Sequence, residues 1–248
     1  MQQKEIKNYV RRRYGEIAKN VISCCKSTSA DMALNLRYSE EDLKSIPESS
    51  NMGLGCGNPV ALASLKEGET VLDLGSGGGI DVFFAAKRVG SKGKVIGVDM
   101  TEEMVKKARE TAMKHGYENV EFKLGDIEDL PIEDDSIDII ISNCVINLAP
   151  DKERVFQEAY RALKPGGRIM ISDIVTEGEL SKEVKQSLEA WAGCVAGALE
   201  RGQYLTLMKR AGFRNAAIVS ERTSGDCCLN AKIVSVQVQG FKLRDMHA

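Results

Sequence analysis

The chain has 248 residues, which is enough for one α/β domain with additional segments. It contains 34 lysines and arginines against 36 aspartates and glutamates, so its formal net charge of −2 gives no electrostatic argument for nucleic-acid binding. The first residues are charged throughout, unlike a signal peptide, and no apolar run reaches the roughly 18 residues that a membrane helix needs. We therefore expect a cytoplasmic protein that binds neither nucleic acid nor a membrane.

The sequence pattern divides the chain into three segments. Residues 1–67 are polar and mostly helical in pattern, with a loop rich in glycine, serine and proline near their end, and we predict an N-terminal helical cap. In residues 68–175, apolar strands alternate regularly with helices, which predicts a parallel sheet covered on both faces. Residues 176–248 are predicted to form an inserted helical lid, then a helix and two strands that complete the sheet.

Residues 71–100 read as a strand, a glycine-rich turn, a helix and a second strand, a unit suited to holding a nucleoside. Glycines let the backbone approach a ligand closely, and an acidic residue about 20 positions further on can accept hydrogen bonds from ribose hydroxyls. The pattern is D-x-G-x-G-x-G followed by a second strand-end carboxylate, formed by Asp73, Gly75, Gly77, Gly79 and Asp99.

This turn departs from a dinucleotide fingerprint, because Ile80 stands where the third glycine of G-x-G-x-x-G is required. The carboxylate of Asp73 at the strand end would repel a pyrophosphate, but it suits a cation that carries an amino acid tail. The turn therefore indicates S-adenosylmethionine rather than NAD as the ligand.

Polar groups also follow the other predicted strands, and ligands of open α/β sheets bind outside the carboxyl ends of the strands. Met100 directly follows the second strand and could cover one face of an adenine ring. Asp126 and Ile127 end the third strand, where a carboxylate can accept from the adenine amino group, and Asn143 ends the fourth. We predict that all four line the cofactor site.

Four blocks in this region, LDLGSGGGID, VIGVDM, GDIEDLP and ALKPGG, resemble in order and spacing those of class I S-adenosylmethionine-dependent methyltransferases. The resemblance covers about residues 68–175. It implies an α/β, Rossmann-like fold with a mostly parallel seven-stranded sheet, here with an N-terminal cap and an inserted helical substrate-binding element. It leaves the methyl acceptor open.

Seven cysteines are present, an odd number that argues against a disulfide framework in a cytosolic-looking chain. There is no C-x-x-C motif, and with two histidines a zinc site would need mostly thiolates. Free cysteines are often small buried hydrophobes. Cys144, inside the apolar run IIISNCVINL, is interpreted in that way.

Four further blocks, SNCVINLAPDK, GCGNP, GCVAGAL and GDC, resemble arsenite methyltransferases, and this likeness spans nearly the whole chain. It implies that Cys56, Cys194 and Cys227 bind trivalent arsenic, with adjacent Cys228 left open as the third ligand. It also implies arsenite or its glutathione or dithiol conjugates as substrate, and a thiol reductant such as glutathione or a thioredoxin-like protein. Tyr14 resembles a family tyrosine that closes over the cofactor, and an anchoring role for helix one stays equally open.

Soft thiolates select soft centres, which agrees with arsenic as the acceptor. Two alternatives remain open at this point. A methyltransferase acting on a carbon or oxygen of a quinone- or sterol-like molecule would need an apolar cavity and no special role for cysteine. A non-catalytic thiol-based metalloid binder would have no need for the complete cofactor turn.

Overall fold

Seven strands form one mixed sheet in the computed structural model, which describes residues 2–19, 38–224 and 231–244. The strands are β1 (Thr70–Leu74), β2 (Lys94–Asp99), β3 (Val120–Leu124), β4 (Ile137–Asn143), β5 (Leu163–Glu177), β6 (Arg214–Ser224) and β7 (Lys232–Phe241). Their order is β3-β2-β1-β4-β5-β7-β6, and only β7 runs antiparallel to its neighbours. The predicted mostly parallel seven-stranded sheet is confirmed.

Helices precede the sheet and connect its strands. They are α1 (Gln3–Ala18), α2 (Glu40–Ser45), α3 (Pro59–Leu62), α4 (Ile80–Val89), α5 (Glu102–Lys114), α6 (Lys152–Ala162), α7 (Lys182–Lys185), α8 (Leu188–Ala192) and α9 (Arg201–Arg210). Three pairs of neighbouring parallel strands are connected through a helix: α4 lies between β1 and β2, α5 between β2 and β3, and α6 between β4 and β5. Among the described residues, no helix combines the length and apolar character needed to cross a membrane.

The central strands are apolar on both sides because each side packs on a separate helical layer. Successive side chains of a strand point to opposite faces of the sheet. In β1, Leu72 and Leu74 join one buried cluster, while Val71 joins the other with Ile139 and Ile141 of β4. The continuous apolar runs that predicted a covered parallel sheet have this double packing as their cause.

The predicted lid contains less helix than the sequence pattern indicates. β5 continues to Glu177 because it pairs with β7 over ten positions, so the inserted segment begins later than residue 176. Its helical part consists of α7 and α8, which begin after Ser181 and Ser187, whose side chains accept the capping hydrogen bonds. The segment is followed by α9, β6 and β7, and the two strands complete the sheet.

Candidate functional site

A cavity of about 400 Å³ opens at the carboxyl edge of the sheet, beside β1 and β4, where the strand order reverses direction. This is the place where open α/β sheets bind ligands. Every residue predicted for the cofactor except Gly79 lines it, namely Tyr14, Asp73, Gly75, Gly77, Asp99, Met100, Asp126, Ile127 and Asn143. Cys56, Cys144 and Cys194 line the same cavity. The glycine-rich turn and three cysteines therefore lie around one cavity.

The glycine turn has the backbone conformation that its sequence predicts. Gly75 has φ 68°, in the left-handed region, and a Cβ there would overlap the side chain of Val145. Gly79 is not among the residues that line the cavity. Its backbone is left-handed directly before α4, and a Cβ there would come within 2.9 Å of the rings of Phe83 and Phe122. Gly79 therefore starts the helix and does not line the ligand site.

Three carboxylates line the cavity, those of the buried Asp73 and Asp81 and of the half-buried Asp99. Burial raises the pKa of all three, that of Asp81 to about 6, and for Asp73 the neighbouring carboxylates add to the effect. A cation bound among them would lower these pKa values. The donor set therefore fits S-adenosylmethionine, whose α-ammonium and sulfonium groups are positively charged. Asp81 was missed in the sequence, although it stands within the quoted LDLGSGGGID block.

The carboxylate of Asp99 binds both the glycine-rich turn and the turn that follows β2. One carboxylate oxygen accepts the Thr101 N–H at 2.8 Å and the other accepts the Gly77 N–H at 2.9 Å. The Thr101 side chain also bonds to this carboxylate. A carboxylate offers about four acceptor positions, so it keeps acceptor capacity for a ribose hydroxyl. This arrangement joins the glycine turn to the end of β2 before any ligand binds.

Helix α1 covers the other side of the cavity. Lys7 Nζ lies 2.6 Å from carboxylate oxygens of both Asp126 and Glu128. The Tyr14 hydroxyl donates to the Ala192 carbonyl of α8 at 3.3 Å, and the ring lines the cavity. Tyr14 thus links α1 to α8 and lines the cavity, which is compatible with both predicted roles of this residue.

Cys56 and Cys144 are joined as a disulfide, with their Cα atoms 5.7 Å apart. Cys194 is buried, and its Sγ donates to the Cys144 carbonyl at 2.9 Å. The interpretation of Cys144 as a small buried hydrophobe is therefore wrong. β4 ends at Asn143, and the next residue turns out of the sheet, so Cys144 is half-buried and faces the cavity.

Two of these cysteines have an unusual backbone. Cys144 has φ 58° and Cys194 has φ 63°, a left-handed conformation that side chains other than glycine and asparagine rarely adopt. Such strained positions cluster at functional sites, where the surrounding structure holds them. Here both strained residues line the same cavity.

The predicted third arsenic ligand, Cys227, lies outside the described residues, as do Cys24, Cys25 and Cys228. Its role stays a prediction. The three cysteines that the described part of the chain brings together are Cys56, Cys144 and Cys194.

A buried polar network lies behind the sulfurs. A carboxylate oxygen of Asp173 lies within 4.8 Å of the Cys56 and Cys144 sulfurs. Asp173 accepts hydrogen bonds from Asn147 Nδ2 at 2.8 Å and from the Tyr204 hydroxyl at 3.3 Å. Burial raises the pKa of Asp173 to about 7. The sequence contained a signal for this residue, a single acidic position inside the apolar strand RIMISDIV.

The raised pKa of Asp173 predicts a pH dependence of stability. Between its ordinary pKa of 3.8 and the folded value of about 7, the native carboxyl binds more protons than the unfolded one. Its contribution to the free energy of unfolding therefore falls as the pH rises through this window, and is lost above it. We expect Asp173→Asn to gain stability relative to the wild type between about pH 5 and about pH 7.5, measured by urea unfolding. A stability difference independent of pH would contradict the assignment.

Comparisons with known proteins agree on one family. A family model described as "Methyltransferase domain" matches residues 65–212. An arsenite methyltransferase of Halobacterium salinarum is 44% identical over 235 residues, covering 89% of this chain and 60% of the relative. That of Homo sapiens is 35% identical over 265 residues, covering 97% of this chain and 67% of the relative. This chain therefore spans about two thirds or less of the length of these two curated relatives.

A solved structure gives the same result. The crystal structure of an arsenic(III) S-adenosylmethionine methyltransferase from Chlamydomonas reinhardtii matches with a TM-score of 0.70 at 36% sequence identity. The match covers 88% of this chain and 75% of that one.

Proposed function

The chain belongs to the arsenite methyltransferase family, and from this premise we propose that it transfers a methyl group from S-adenosylmethionine to trivalent arsenic held by cysteine thiolates. The observation that carries the proposal is the convergence of Cys56, Cys144 and Cys194 on the cavity that contains the glycine turn and Asp99. Thiolates are the protein ligands that select soft centres such as arsenic. The cofactor residues are Asp73, Gly75, Gly77, Asp99, Met100, Asp126, Ile127, Asn143 and Tyr14, all in one lining.

Three thiolates leave trivalent arsenic with a lone pair. When bound, S-adenosylmethionine supplies an electrophilic methyl carbon on its sulfonium. With arsenic held by the three cysteines, its lone pair would be the acceptor of that methyl group, and S-adenosylhomocysteine would be the product left by the donor. No proton moves in this step, so the chain's task is to hold arsenic in line with the methyl group.

Methylation oxidises arsenic from the trivalent to the pentavalent state. Two thiolate ligands can return two electrons to arsenic by leaving together as a disulfide, which gives trivalent methylarsenic and one oxidised cysteine pair. The Cys56–Cys144 pairing supports these two as the pair. A thiol reductant, glutathione or a thioredoxin-like dithiol, would then reopen the site by thiol–disulfide exchange.

The test is methyl transfer from labelled S-adenosylmethionine to arsenite with excess glutathione or a dithiol, with the arsenic species separated by chromatography. We expect methylated arsenic and S-adenosylhomocysteine to form together, and both to disappear in Cys194→Ser. With protein that is reduced beforehand and then freed of reductant, product formation is expected to stop at about one methyl group per site, because the cysteine pair stays oxidised.

Two outcomes would overturn the proposal. Cofactor binding without methylated arsenic would direct the search to carbon and oxygen acceptors. Arsenite binding that is unaffected by the cofactor, with no turnover, would indicate a metalloid binder.

A further inference from the structure

The loop that carries Cys56 is attached to the sheet by side chains rather than by a regular element. Its residues 51–58 lie between a short 3-10 turn and α3, and belong to neither a helix nor a strand. A loop has many conformations available, so something must fix the position of the Cys56 sulfur opposite Cys144. The hydrogen bonds of the Cys56 backbone identify what does this.

Both polar groups of the Cys56 backbone are bonded to side chains of the sheet. The Cys56 N–H donates to Asn143 Oδ1 at 3.0 Å, and the Cys56 carbonyl accepts from the Ser235 hydroxyl at 2.9 Å. Asn143 ends β4 and Ser235 lies in β7, so the two anchors come from strands on opposite sides of β5. We propose that Asn143 and Ser235 are positioning residues that hold Cys56 opposite Cys144 in the arsenic site.

Asn143 is itself fixed in orientation. Its Nδ2 donates to the Gly57 carbonyl at 2.8 Å and lies 3.1 Å from Asp81 Oδ2. The Tyr38 hydroxyl, which donates to the other oxygen of Asp81 at 2.7 Å, lies 3.2 Å from the same Nδ2. Amide oxygen and amide nitrogen thus bind successive backbone groups of the loop, and reversing the amide would place like groups together.

The glycines beside Cys56 show how closely the loop lies on these anchors. A Cβ on Gly55, whose φ is +116°, would come within 2.9 Å of the Asn143 amide. A Cβ on Gly57 would come within 2.7 Å of Ser172 Oγ. The G-C-G sequence therefore lets the backbone descend onto the sheet, and Asn143 and Ser235 keep it there.

Holding Cys56 has a consequence that can be measured without arsenic. The equilibrium between the dithiol and disulfide forms of Cys56 and Cys144 depends on the effective concentration of one thiol at the other, which a fixed loop raises. The exchange is balanced, since two thiols and one glutathione disulfide give one protein disulfide and two glutathiones. Releasing the loop would lower this effective concentration without any change in the chemistry of sulfur.

The experiment compares Ser235→Ala, Asn143→Ala, the double variant and the wild type as full chains. Each is equilibrated with mixtures of reduced and oxidised glutathione, alkylated, and mapped by mass spectrometry at Cys56 and Cys144. We expect the effective concentration to fall about three- to tenfold in Ser235→Ala, the effect of one lost hydrogen bond. It is expected to fall further in Asn143→Ala, which loses two hydrogen bonds to the loop, and furthest in the double variant. Ser235→Thr keeps the hydroxyl and is expected to restore the wild-type value.

Ser136→Ala is the matched control, because it removes a hydroxyl-to-carbonyl bond of 2.7 Å, to Glu133, far from the cavity. Ser235 is not among the described residues that line the cavity, so Ser235→Ala is expected to bind cofactor normally by calorimetry. An effective concentration within twofold of the wild type in folded Ser235→Ala and Asn143→Ala would overturn the inference. Ser235→Ala replaces a half-buried hydroxyl by a smaller group, so it remains informative if Asn143→Ala fails to fold.

The role of this loop in holding arsenic rests on the proposed function. The glutathione equilibrium is measured without arsenic and does not depend on that function. Under the proposed function, Ser235→Ala lowers kcat for arsenite methylation several-fold with an unchanged KM for cofactor. If no arsenic is methylated and the glutathione equilibrium still shifts, the positioning role stands and the proposed function falls. If arsenic is methylated and the equilibrium does not shift, the reverse holds.

Discussion

Cys144→Ser is expected to lower arsenite methylation about a hundredfold or more while S-adenosylmethionine still binds. Serine keeps the size of the side chain and the polar end, but it supplies no soft thiolate for arsenic. Cys144 faces the cavity, pairs with Cys56, and accepts the hydrogen bond of Cys194 through its carbonyl. The loss is therefore expected in kcat for arsenite, and arsenite binding is expected to weaken in the same variant.

The same experiment decides between Cys144 and the ligand that the sequence predicts. Cys227→Ser is made in parallel, and both variants are assayed for methyl transfer and titrated with cofactor. If Cys227→Ser stops turnover while Cys144→Ser keeps it, the arsenic site contains Cys227 and our assignment of Cys144 is contradicted. If both lose turnover, four sulfurs take part.

Asp99→Ala is expected to weaken cofactor binding about a hundredfold, because it removes a carboxylate that accepts two backbone N–H groups and faces the ribose position. Asp99→Asn is expected to be intermediate, since its amide oxygen keeps part of the acceptor capacity. Calorimetric titration with S-adenosylhomocysteine measures both. Arsenite binding by the reduced protein is expected to persist, because the sulfurs lie elsewhere in the cavity.

Asp138→Asn provides the control for this series. Asp138 also accepts a backbone N–H, from Thr70 at 2.8 Å, and it pairs with Lys164, but it lies near the opposite end of β4. It should affect stability at most and leave cofactor affinity unchanged. Wild-type affinity in a folded Asp99→Ala would remove Asp99 from the cofactor site.

The residues that meet at the carboxyl edge of the sheet were predictable from the topology alone. Once the alternation of strands and helices indicates a parallel sheet, the carboxyl ends of its strands must meet at one edge, and the polar residues at those ends meet with them. Asp99, Asp126 and Asn143 were found by this rule, and all three line the cavity. Gly79 shows its limit, since a glycine in the motif can serve the helix start instead.

The acceptor side could not be found in the same way. Cys144 directly follows the predicted strand end at Asn143 and precedes the apolar Val145 and Ile146. Hydrophobicity does not reveal that the backbone at Cys144 is left-handed and that its side chain faces the cavity. Asp173 was missed because the rule considers only residues at the carboxyl ends of strands. Asp173 lies inside β5, which pairs with β7 as far as Glu177. Cys56 and Cys194 were found through family resemblance, as no local pattern marks them.

Cys144 and Cys194 both have a left-handed backbone, so selection for stability and selection for function are expected to favour different residues at these positions. Glycine adopts that conformation without a steric penalty, whereas a cysteine there strains the fold by about 1 kcal/mol or more. A library of variants screened for thermal stability alone would therefore tend to lose cysteine at both positions. A library screened for growth in arsenite would keep it, so the residues at 144 and 194 record which pressure has acted.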